Sequence, residues 1–164
     1  MSITVSDYID VKAKMGELGC SLPESGLTLL PLNLDSAASI AELRHASETS
    51  TVRKLLLQER LPLCDIVERD QRPPYIKNKS ADLVLPTLYL SAAFLSQNSP
   101  LVSVALNVIS SYIYDRFRAL KPGRTVKFDV VLEDTKSGKY RRIAYEGTEE
   151  GLKLLPAAIR EAIK

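Results

Sequence analysis

Imidazole chemistry in this chain rests on one residue, His45, and thiol chemistry on two, Cys20 and Cys64. A cysteine nucleophile needs a base beside it, and Glu42 or Glu48 stands near enough in sequence to orient His45 for that role. The signatures that assemble such groups locally are missing, since there is no GxSxG elbow and no cysteine motif. One His and two Cys do not supply the four ligands of a structural zinc site, so none is expected. Cys20 and Cys64 are far apart, and two reduced thiols are expected rather than a disulfide. The paired carboxylates Glu133-Asp134 and Glu149-Glu150 offer acid–base chemistry. They fall at a strand end and in a first helical turn, where turn and capping roles account for them. Residues 120–125 hold a Lys, a Gly and a Thr without the glycine-rich cradle that binds phosphate.

Two polar clusters remain as binding candidates. Arg69, Arg72, Lys77 and Lys79 surround Pro73-Pro74-Tyr75, and a basic loop with one aromatic can grip an anion or an acidic surface. Glu68, Asp70 and Asp82 dilute its charge. The second cluster is a stripe on an apolar helix. Ser103, Asn107, Ser110, Tyr114 and Arg118 recur at spacings of 4, 3, 4 and 4, flanked by Leu, Val and Ile. Asn107 and Tyr114 are its candidates for lining a pocket. Arg141-Arg142 is not a patch, because neighbours on a strand point to opposite faces.

The elements that must position these groups follow from periodicity. Tyr8, Val11, Met15 and Leu18 predict a helix over 3–18 after a Ser6 cap. Leu27, Leu29 and Leu30, between Pro23 and Pro31, predict a short edge strand. Helices are expected over about 37–48 and from a Ser50 or Thr51 cap to Pro62. Residues 62–82 read as a polar surface loop. A helix over 87–95 opening at Pro86, and a second over 100–120, form the expected core hairpin over 83–121. So little polar surface on the second predicts a helix buried on most sides. In the tail, Val126, Phe128, Val130 and Leu132 alternate with polar residues, a turn follows at 134–138, and 139–146 returns. Gly147 ends that strand. Leu152, Leu155, Ile159 and Ile163 then mark a last helix that Pro156 should kink or restart.

The expected fold is therefore α+β: a single domain with a buried central helix, a mainly helical part over 1–61, and a ββα unit over 124–164. At 164 residues the chain buries enough surface to fold without a metal or disulfide. Its net charge of +2 is too small to argue for nucleic-acid binding. No uninterrupted apolar run is long enough for a membrane span, no signal peptide is visible, and a cytoplasmic place is expected. No cofactor is implied. With no catalytic constellation legible, the expected function is a non-catalytic interaction or accessory module of a bacterial-type system. Its partner would be another protein or a second copy of the chain; if 127–133 or 139–146 is an exposed sheet edge it can add a partner's strand, unless its alternating charges blunt it. The alternative is a small enzyme or ligand-binding domain using the loop 69–79 and the stripe on helix 100–120.

Overall fold

A computed structural model describes residues 2–76, 82–97, 99–118, 125–134 and 136–162. It is a mixed α/β fold around one six-stranded sheet, with five α-helices. The strands are β1 (Ser2–Asp7), β2 (Leu27–Leu30), β3 (Leu83–Val84), β4 (Thr87–Leu90), β5 (Val126–Glu133) and β6 (Tyr140–Gly147). The helices are α1 (Val11–Leu18), α2 (Thr49–Gln58), α3 (Ala92–Gln97), α4 (Ser99–Arg118) and α5 (Leu155–Ala162). The spatial order is β1-β6-β5-β4-β2, with β3 also on β5. β6 pairs antiparallel with both β5 and β1, whereas β3 and β4 run parallel to β5.

Two apolar clusters sandwich the sheet. On one face Leu88, Phe128, Val130 and Ile143 pack with Val52 and Leu56 of α2, Phe94 of α3, Ile109 and Ile113 of α4, and Ile159 of α5. On the other, Tyr89, Val131 and Tyr140 meet Val11 and Met15 of α1, together with Leu34 and Leu43.

The N-terminal part is not mainly helical. Ile3 and Val5 alternate with Ser and Thr, and residues 2–7 form β1 along β6. Asp10, rather than Ser6, starts α1 by accepting a hydrogen bond from Ala13 N–H at 3.0 Å. The helix expected over 37–48 is a single 3-10 turn at Ile40–Glu42. Asn33 takes its place: the amide accepts from Arg44 N–H and donates to Glu42 C=O, both at 2.8 Å, and holds the loop open.

The segment 83–90 is likewise strand and not helix. Leu83 sits opposite Val126 but Leu88 opposite Val130, so the register slips by one residue between them. Pro86 lies at that slip, where a residue without an N–H does least harm. All four residues of β4 are buried, as expected of an interior strand covered on both faces.

α4 is not sheathed on most sides. Ser103, Asn107, Ser111 and Tyr114 face solvent and Leu101, Val104 and Val108 are half-buried, because the helix lies in one layer over the sheet. In the tail, a 3-10 turn over Glu149–Leu154 gives way to α5 at Leu155, and Pro156 falls in the first turn of the new helix. The positions of Ile163 and of the expected 121–123 stop lie outside the described residues.

Candidate functional site

The polar stretch after α2 does not leave the sheet. Leu27 N–H donates to Pro62 C=O at 3.2 Å, Cys64 N–H donates to Leu27 C=O at 2.9 Å, and Thr28 Oγ1 donates to Cys64 C=O. Residues 62–64 therefore run beside β2 and cover its outer edge. Gly26 makes this approach possible: its φ is 133° and a Cβ there would stand 2.6 Å from the Pro62 oxygen. Farther on, His45 N–H donates to Pro74 C=O at 3.0 Å and Ile76 N–H to His45 C=O at 2.8 Å, so the chain straps across His45.

Between this segment, the start of α2 and the end of β2 lies a cavity of about 280 Å³. Its polar lining includes Thr49, Ser50, Arg53 and Lys54 from α2, and Asp65, Arg72 and Tyr75 from the strap. Leu29, Leu63, Ile66 and Val67 give it an apolar side. Arg53 grips Asp65 with two hydrogen bonds, Nε to Oδ1 at 3.0 Å and Nη2 to Oδ2 at 2.9 Å. Arg72 Nη2 reaches the same Oδ2 at 3.2 Å. The hydrogen bonds from Arg53, and then the charges of both arginines, hold the Asp65 carboxyl below the usual carboxylate range.

His45 is 8% exposed, and burial pushes its pKa down to about 4 against a weaker opposing pull from Asp65. It is neutral at pH 7. Among the described residues its Nδ1 has no hydrogen-bond partner, and neither has Thr49 Oγ1, on a side chain 5% exposed. Both residues line the cavity. Among the described residues, three cations against one carboxylate leave the lining with a net charge of +2.

His45 and Cys64 both line the cavity. Among the described residues no hydrogen bond joins them, and the thiol's contact is with Pro62 C=O at 4.0 Å. An imidazole held neutral to about pH 4 is a weak proton acceptor. No cluster of three metal-ligating side chains occurs among the described residues. The arrangement is suited to holding an anion.

The sequence candidates are divided by the structure. Arg72 and Tyr75 line the cavity, while Arg69 lines a polar groove next to it that shares Asp65 and Arg72. Lys77 and Lys79 lie outside the described residues. Asn107 and Tyr114 are exposed on α4 and line neither of these hollows, while Ser103 of the same stripe lines a third, of about 260 Å³, between α4 and α5. Arg53, Lys54, Thr49 and Asp65 were not legible as a site. The only local trace was a basic pair one turn into the expected helix.

Neither 127–133 nor 139–146 is an open edge, because β5 and β6 are both interior to the sheet. Glu133 and Asp134 have structural partners: Glu133 accepts from Ala92 N–H at the start of α3, and Asp134 from Lys136 N–H in the turn. No helix is long and apolar enough to cross a membrane among the described residues. Compared with protein-family models, curated proteins and solved structures, the chain matches none of them.

Proposed function

We propose that this protein is a ligand-binding module that takes a small organic anion into the cleft between α2 and the 62–76 strap. One observation carries the reading: among the described residues the cavity has a net charge of +2, and its lining includes two buried polar atoms, His45 Nδ1 and Thr49 Oγ1, without a hydrogen-bond partner. An orphaned polar atom costs about 1–3 kcal/mol, so its persistence at a cavity wall calls for a functional account. The start of α2 adds the positive end of a helix dipole at Thr49 and Ser50. A cytoplasmic setting belongs to the same proposal, and the free thiols Cys20 and Cys64 suit a reducing compartment.

The test is chemical-shift mapping with inorganic phosphate, benzoate and succinate. Perturbations should concentrate at Ser50, Arg53, Asp65 and Arg72, and Arg53→Met and Arg72→Met should each weaken them. Binding by none of the three, or perturbations confined to other surfaces, would overturn the reading.

A protein-interaction role has its own support in β1. Among the described strands β1 pairs only with β6, leaving its outer edge unpaired, and it carries no Lys or Pro to blunt that edge. The partner we propose is a second copy. Tyr8 N–H donates to Tyr140 C=O, so by alternation the backbone groups of Ile3 and Val5 point away from β6. In the register with Thr4 on the two-fold axis, an antiparallel pair of β1 strands sets Ile3 opposite Val5, and it is this register that we propose. Elution as a dimer on a sizing column supports this, and a strict monomer at high concentration refutes it.

A further inference from the structure

The charge balance of the cleft narrows the class of anion, given that the cleft is a binding site at all. We infer that its ligand is a phosphate monoester carrying an apolar or aromatic body, and that a singly charged anion of the same shape is discriminated against.

Three features converge on this. First, Arg53, Lys54 and Arg72 exceed Asp65 by two charges, and His45 is neutral. A monocarboxylate or sulfate ester would leave one positive charge uncompensated in a partly enclosed space. A phosphate monoester, at a charge of about −1.5 to −2 near neutral pH, cancels the excess.

Second, Asp65 does not exhaust its partners. A guanidinium has five N–H donors, of which Asp65 takes two from Arg53 and one from Arg72. The planar guanidinium fork suits an acceptor with several oxygens. The ammonium of Lys54 and the first turn of α2 add charge without fixing geometry. The Asp65 ion pairs are also about 30–40% exposed in their side chains, where such pairs contribute little, so the arginines can turn toward a stronger acceptor.

Third, part of the lining is apolar. Leu29, Leu63, Ile66 and Val67 offer surface to a hydrocarbon body, and the half-exposed ring of Tyr75 lines the same cavity. Inorganic phosphate would leave that part unused.

Phenyl phosphate and phenyl sulfate make the decisive pair, since they share a shape and differ in charge. Calorimetric titration of the full chain at about pH 8, above the second phosphate pKa of about 6, compares the doubly and singly charged forms. Phenyl phosphate should bind roughly tenfold more tightly than phenyl sulfate and also more tightly than inorganic phosphate. Lys54→Met, at an exposed position that leaves the core intact, should shrink the phosphate-over-sulfate ratio. Asp65→Asn should enlarge it. If both esters bind equally in every variant, the cleft remains an anion site and the doubly charged ligand is wrong. If neither binds, both this inference and the binding reading fall.

Discussion

At the scale of single residues, Gly26 and His45 are the positions where local chemistry is least replaceable. Gly26 combines a positive φ with a Pro62 oxygen where its Cβ would lie. Gly26→Ala should therefore cost about 1–3 kcal/mol from backbone strain alone, with the close contact adding to it, read as a lower urea midpoint. An unchanged midpoint would mean that residues 62–64 do not sit against β2. His45 has a pKa lowered from 6.5 to about 4 by burial, with Asp65 and Arg72 as the charges that act on it. The unfolded chain thus binds the proton more readily between those values. The stability held by the neutral ring is complete above about pH 6.5 and is lost as pH falls toward 4. At about 1.4 kcal/mol per unit, the ceiling is of order 3 kcal/mol. Urea midpoints measured across this window should drop more steeply in the natural chain than in His45→Gln. Parallel curves would remove His45 as the cause.

Elements were legible where one pattern stood alone. The alternation from Val126 to Leu132 appears as a strand, though Val131 is buried on its second face, and Leu152, Leu155 and Ile159 are buried as the spacing implied, with Leu152 in the 3-10 turn before α5. β4 gave no such pattern, because a strand covered on both sides has no polar face to alternate with. Its Pro86 fits a helix start as well as a bulge, and only the slip in register against β5 separates the two. In 1–18 a helical spacing overlapped a two-residue alternation, and Asp10 decided where the helix begins. Asp10→Ala should cost α1 about 1 kcal/mol, within the usual range for a lost N-cap. Met15→Ala, on the same helix and 1% exposed, should cost about 2–5 kcal/mol. Thermal or urea unfolding of the two variants ranks them, and a larger loss at Asp10 would mean that α1 is held by its cap and not by its apolar face. The cleft was less legible than any element. Arg53 and Asp65 are 12 residues apart, and they meet only because the chain doubles back along β2. Nothing local in either segment encodes that return.

Across the whole molecule the two sheet edges differ. The β2 edge is occupied by the same segment that forms the cleft, so protecting the sheet and building the site are one structural event. The β1 edge, at the opposite end of the strand order, has no such cover among the described residues. That asymmetry puts ligand binding and self-association at opposite ends of the sheet, and the two should be separable by mutation. Thr4 is exposed and would lie on the two-fold axis of a β1–β1 pair. Thr4→Asp sets two carboxylates directly opposite each other in a dimer, while in one chain it changes only an exposed strand position. It should therefore shift a sizing-column dimer to monomer, move the unfolding midpoint of the isolated chain little, and leave phenyl phosphate affinity as it was. A dimer that survives Thr4→Asp would place the interface elsewhere, and a loss of ligand binding with the dimer would show that the ends of the sheet are coupled.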